Sequence, residues 1–146
     1  MKHIAEKFPK PSSPCHCLNI RRASRAVTKF YEKVLEPSGL KAPQYSLLEH
    51  LKYMGPITIS KLAQIMRIDR TTLNRNLKPL IEADLISVDR GEVPRTKEVV
   101  LTETGKSAIA KADILWNEAQ ATLGEYMGKE LANFEKLLSK LEALVP

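Results

Sequence analysis

Asp69-Arg70-Thr71-Thr72-Leu73-Asn74-Arg75-Asn76-Leu77-Lys78 is the stretch whose reading decides the fold. Leu73 and Leu77, continued by Leu80 and Ile81, recur at helical spacing and mark one apolar face. Asp69 is a good N-cap for that helix. With the leucines turned inward, Arg70, Thr71, Asn74, Arg75 and Lys78 face outward. Solvated helix faces usually mix Glu with Lys, yet no acid occurs here between Asp69 and Glu82. What remains is cations, small hydroxyls and an amide. Base edges in a major groove bind such groups: Arg pairs doubly with guanine, Asn with adenine, and a Thr methyl touches thymine. An ordinary solvated face is the alternative reading of this helix.

Just upstream, Thr58 can cap a short helix whose inner residues are Ile59, Leu62, Ala63 and Met66. Only Arg67 and Ile68 separate it from Asp69. Two short helices with so tight a link fit a helix-turn-helix. Downstream the period changes. Leu85 to Val88 and Val99 to Leu101 have strand character. The segment between them, from Asp89 to Lys97, is rich in charge and turn formers. It predicts a hairpin with Arg90, Arg95 and Lys97 at its tip. Such a ribbon can hold phosphates or place an arginine in the minor groove. A solvated edge hairpin protected by its charge is the other reading. The fold class is therefore mainly α with a small β-hairpin wing, a winged helix-turn-helix.

Helices flank this lobe. Pro9, Pro11 and Pro14 make 1–14 an extended arm. From about Leu18, a helical pattern runs through Ala23, Ala26, Val27, Phe30, Tyr31, Val34 and Leu35, and Pro37 to Gly39 stop it. A second helix starts near Pro43, carries Tyr45, Leu47, Leu48 and Leu51, and ends at Gly55 and Pro56. Beyond the hairpin, Thr102 can cap a helix with Ala108, Ile109, Ala112, Leu115, Trp116 and Ala119, interrupted at Gly124 or Gly128. A last helix shows Leu131, Phe134, Leu138, Leu141 and Val145 as one stripe. A winged-helix core cannot cover apolar stripes at both ends of so short a chain. A second copy is the simplest cover, and packing within one chain is the alternative. The expected organisation is an arm (1–14), a first dimerisation helix (15–36), a DNA-binding lobe (37–101) and C-terminal dimerisation helices (102–146).

Composition agrees. The chain has 146 residues, 43% hydrophobic and 27% charged, which is enough for one folded domain. A formal charge of +6 and a pI near 9.4 favour a polyanionic partner. No apolar run approaches the ~20 residues that cross a bilayer, and no apolar leader follows Met1. The expectation is a cytoplasmic protein with no membrane partner. No Ser/His/Asp set, phosphate-cradling Gly loop or sufficient metal-ligand cluster is visible, so neither an enzyme nor a cofactor is expected. Some winged helices dock proteins instead of DNA. That reading predicts an acidic or apolar face where this one is polar and cationic.

Cys15 and Cys17 precede the first helix, and in the cytoplasm they are not a disulfide framework. Three readings stand. They are inert thiols, a metal site with His16 or His3, or a redox pair. Zinc wants four ligands, and no second cysteine pair exists. For redox chemistry, Arg21, Arg22 and the helix start could stabilise a thiolate on Cys17, and Cys15 could resolve its sulfenic acid.

Thr58-Ile59-Ser60-Lys61-Leu62-Ala63, the stretch from Asp69 to Arg75, that from Leu80 to Ile86, and the wing exit from Arg95 to Gly105 together resemble the MarR family of bacterial regulators. The resemblance runs from about Cys15 to Val145. It implies a triangular homodimer with interlocked first and last helices, each reading helix meeting half of a pseudo-palindromic operator in double-stranded DNA. It also implies an effector, a small molecule or an oxidant such as peroxide. The stretch from Cys17 to Tyr31 is similar to the organic-peroxide-sensing OhrR branch. That similarity implies that Cys17 is the reactive cysteine and Tyr31 a tyrosine touching it. The expected function is a homodimeric, sequence-specific transcription regulator, a repressor released by a small-molecule or oxidative signal. Thr58, Arg70, Thr71, Thr72, Asn74 and Arg75 would read or orient on DNA. Lys78, Arg90, Arg95 and Lys97 would hold phosphates or the minor groove. Tyr45, Tyr53, Met54 and Trp116 could line an effector cleft, although aromatics at helical spacing are more often core.

Overall fold

The computed structural model describes Ile4, residues 9–91 and residues 96–146. Its elements run α1 (His16–Leu35), α2 (Ala42–Met54), β1 (Ile57–Thr58), α3 (Ile59–Met66), α4 (Arg70–Glu82), β2 (Ile86–Arg90), β3 (Lys97–Leu101), α5 (Glu103–Met127) and α6 (Leu131–Glu142). Single 3-10 turns at Glu36–Ser38 and Gly128–Glu130 join α1 to the following loop and α5 to α6. The sheet is antiparallel in the order β1-β3-β2. Val99 lies at its centre, opposite Ile57 on one side and Val88 on the other.

The helix starts follow local chemistry. Thr58 accepts the Lys61 N–H, Asp69 the Thr72 N–H, and Thr102 the Gly105 N–H. Each satisfies one of the amides that a helix N-terminus leaves without a partner. Between α3 and α4, Arg67 takes φ 56 and sends the chain round in one tight left-handed step. Leu62, Leu73, Leu77 and Leu80 then bury against Leu47, Leu48 and Leu51 of α2, Ile86 and Val99 of the sheet, and Ile109 and Ala112 of α5. Each such leucine contributes about 1.5–3 kcal/mol through burial. A smaller cluster holds Tyr31 and Val34 of α1 against Ala119 of α5, and Leu115 and Trp116 pack against both groups. The mainly helical winged helix-turn-helix read from the sequence is the observed fold.

Several local expectations change. α1 begins at His16 rather than Leu18, because Cys15 serves as its cap through its sulfur. The two-residue strand β1 has no periodic signature in the sequence. It exists because β3 offers a free edge there. Leu85 stands outside β2, following Asp84 at φ 58. The strands reach further into the charged segment than expected, up to Arg90 and from Lys97. α5 runs unbroken through Gly124 and stops at Gly128, whose φ of 60 suits a glycine. Val145 lies beyond the end of α6. Ile81 is 44% exposed, on the flank of α4, since Leu80 already fills the inward position.

Apolar surface is left over at both ends of the chain. Ile20 and Val27 of α1, Ile114 and Tyr126 of α5, and Phe134, Leu137, Leu138 and Leu141 of α6 are exposed. No residue of α6 is buried.

Candidate nucleic-acid interface

α4 presents the outward set read from its sequence. Arg70, Thr71, Asn74, Arg75 and Lys78 are exposed, whereas Leu73, Leu77 and Leu80 are buried. Thr72 is half-buried and differently employed. Its amide and its hydroxyl both donate to the Asp69 carboxylate, at 2.7 and 2.9 Å. Those bonds hold the Asp69 carboxyl below its usual range, with the backbone bond from Thr72 the largest cause. Asp69 therefore stays charged and keeps the first turn of α4 closed.

α4 does not stand alone. Thr58, Ile59, Ser60, Arg70, Asn74, Thr96 and Lys97 line one groove between the start of α3, the reading helix and the wing. Thr58 accepts from the Lys61 N–H at 3.2 Å, and its hydroxyl lines this groove. A helix start with a hydroxyl and a nearby ammonium suits a phosphate. Ser60, exposed on α3, was not singled out from the sequence. Its position two residues after a capping threonine was the available signal.

The register of the wing sorts its charges. Arg90 lies directly opposite Lys97, and Asp89 directly opposite Glu98. Successive strand residues point to opposite faces, so each pair lies on its own side. Arg90 and Lys97 share a face with Val88 and the buried Val99, and Lys97 joins Asn74 and Lys78 of α4 around a shallow apolar groove. Asp89 and Glu98 take the other face. Like charges directly opposite in a ladder are destabilising. An anion between Arg90 and Lys97 removes that cost. The hairpin is closed by Gly91 N–H on the Thr96 carbonyl at 2.9 Å. Arg95 lies outside the described residues.

The cysteines and Tyr31 are not brought together. Cys15 and Cys17 are exposed at the start of α1. Tyr31 is fourteen residues from Cys17 on the same helix, about 21 Å along its axis. Its hydroxyl donates to Gln120 of α5, and burial raises its pKa. Within this chain Tyr31 therefore does not touch Cys17. Among the described residues no group of His, Cys, Asp and Glu is arranged to hold a metal. Of the aromatics considered for an effector cleft, Tyr45 and Trp116 are stacked core residues, with centroids 4.3 Å apart, and Tyr53 is 74% exposed.

With this geometry in hand, comparison with known proteins is decisive. The MarR family model matches residues 40–92, from the start of the lobe into the wing. The helix-turn-helix-type transcriptional regulator YwoH of Bacillus subtilis is 30% identical over 95 residues, covering 65% of this chain and 69% of YwoH. The chain belongs to the MarR family. The MarR-type similarity extends beyond the lobe. The Staphylococcus aureus transcriptional regulator MgrA is 27% identical over 137 residues, covering 85% of this chain and 92% of MgrA. The M. tuberculosis transcriptional regulator MosR, solved in complex with DNA, superposes with a TM-score of 0.77 at 33% identity, covering 90% of this chain and 99% of that one. This MarR-family protein is a DNA-binding transcription regulator and not an enzyme. No helix among the described residues is long and apolar enough to cross a membrane.

Proposed function

We propose that the chain acts in the cytoplasm as a homodimeric repressor that reads a pseudo-palindromic site with two copies of α4. The observation that carries this reading is the acid-free, exposed face of α4 opening into the same groove as Thr58 and Lys97. In this reading Arg70, Thr71, Asn74 and Arg75 meet base edges, and Thr72 orients the helix start through Asp69. Lys78, Thr58, Arg90, Arg95 and Lys97 hold the backbone or the minor groove. The exposed apolar faces of α1, α5 and α6 support the dimer, because surfaces of that extent are normally covered by a partner. MosR, solved on DNA, supports the docking mode.

The test is duplex binding across a salt series, using sites selected from random DNA. Affinity should fall steeply with salt. Lys78→Ala should lower the salt slope by about one unit on every sequence, whereas Arg75→Ala should relax the base preference at one position in each half-site. A salt slope near zero would sink the reading.

The signal proposed is oxidation at Cys15 and Cys17. An organic hydroperoxide would oxidise the Cys17 thiolate to a sulfenic acid, releasing the alcohol. The Cys15 thiol would then displace water to form a disulfide. Cys15 is the N-cap, just outside the helix, and its Sγ accepts the Leu18 N–H at 3.4 Å. Closing the bond would therefore remove the cap and unwind the first turn of α1. Peroxide should weaken operator binding in the native chain and leave Cys17→Ser unaffected. Equal loss in both would place the signal elsewhere.

A further inference from the structure

Asp113 stands on α5 where the two apolar clusters meet. Its Oδ1 accepts the Tyr45 hydroxyl at 2.5 Å, and its Oδ2 accepts the Lys52 ammonium at 2.9 Å. Tyr45 and Lys52 are seven residues apart on α2, two turns and about 10.5 Å along the axis, on one face. A single carboxylate thus ties two turns of α2 to one point of α5. Rolling α2 about its axis, or sliding it along α5, lengthens at least one of these bonds. Apolar packing alone does not resist such motion in the same way, because it is non-directional, whereas hydrogen bonds weaken steeply with misalignment.

The neighbouring turn of α5 completes the joint. Trp116 stacks on Tyr45 at 4.3 Å with the rings 20° apart, and meets Tyr31 of α1 at 4.6 Å. Burial, followed by the bond to Asp113, pushes the Tyr45 phenol far up, so it remains a proton donor. The bond to Asp113 raises Lys52 in turn, so it stays cationic.

α2 also carries the reading helix. Leu47, Leu48 and Leu51 share one core with Leu73, Leu77 and Leu80 of α4. The angle between α2 and α5 therefore sets where α4 points relative to the helices that would face a second copy. We infer that Asp113, acting through Tyr45 and Lys52, is a positioning residue that fixes which half-site spacing the dimer accepts. This inference rests on the dimeric DNA-binding reading above.

The experiment measures affinity of the native chain, Asp113→Ala and Tyr45→Phe for duplexes carrying the selected half-sites. The half-sites are set at the selected spacing and at one or two base pairs to either side. One base pair turns a half-site by about 35° and moves it about 3.4 Å. The native chain should lose at least about tenfold per base pair, the size of one good base contact. Both variants should lose far less across the series, while binding the selected spacing nearly as well. Tyr45→Phe retains the ring stack, so it tests the joint even if Asp113→Ala fails to fold. The emission of Trp116, the only tryptophan, reports folding in either case. Folded variants that keep the native spacing profile, or weaken equally at every spacing, overturn the inference. A native chain that binds no duplex overturns the dimeric reading beneath it instead.

Discussion

Gly105 sits in the first turn of α5, where helix, loop and wing exit converge. A Cβ added there would lie 2.0 Å from the Leu85 carbonyl oxygen, 2.7 Å from Leu101 Cδ1 and 3.0 Å from the Leu85 carbonyl carbon. The nearest atom, the Leu85 carbonyl oxygen, is backbone, so no rotamer change clears it. α5 must withdraw by roughly an ångström. The withdrawal strains two bonds that fasten it, Thr102 N–H to the Leu85 carbonyl at 3.1 Å and the Thr102 hydroxyl to the Asp84 carbonyl at 2.6 Å. Overpacking costs about 1–3 kcal/mol, and each weakened bond about 0.5–1.5. Against these, alanine gains about 1 kcal/mol over glycine as a helix former. Gly105→Ala should therefore lose about 1–5 kcal/mol, an appreciable share of the 5–15 typical of a whole domain. The assay is urea unfolding at fixed protein concentration, on which the stability of the proposed dimer would depend. The midpoint should fall with the slope unchanged. An unchanged or raised midpoint would mean that helix propensity governs this site and that the close approach to Leu85 is not real.

Gly124→Ala supplies the opposite sign in the same helix. Its Cβ would meet nothing nearer than Leu131 Cδ2 at 3.9 Å, so thermal unfolding should show a gain of about 0.5–1 kcal/mol. Arg67→Gly should also stabilise, by up to about 1 kcal/mol, because it relieves a left-handed residue. Its exposed ion pair with Glu142 at 2.5 Å contributes little, and a loss on melting would show otherwise. Arg90→Ala should separate stability from function. Removing one of two facing cations raises the melting point slightly, yet titration should show weaker DNA binding. For Asp69, the folded pKa lies below the usual 3.8. Its capping contribution is thus fully present above that value and is lost as pH falls through the folded one. Hydrogen exchange at the Thr72 amide should accelerate there, and Asp69→Asn should remove the acid dependence.

Much of this protein was written in local chemistry. Leu73, Leu77 and Leu80 at helical spacing, the caps Thr58, Asp69 and Thr102, and the acid-free run up to Glu82 each depend on a few neighbouring residues. They could be read without knowing the fold, and the structure places them as read. The resemblance of the same segments supplied the family, which the match over residues 40–92 together with the similarity to YwoH then established. Other features depend on contacts between distant parts of the chain. β1 exists only because β3 offers an edge, and Ile81 is exposed because Leu80 takes the inward place. Arg90 meets Lys97 only through the register of a hairpin, and Asp113 joins Tyr45 and Lys52 across more than sixty positions. Periodicity and capping act over one or two turns. Strand register and the α2–α5 joint arise only when the core closes, so tertiary packing alone decided them.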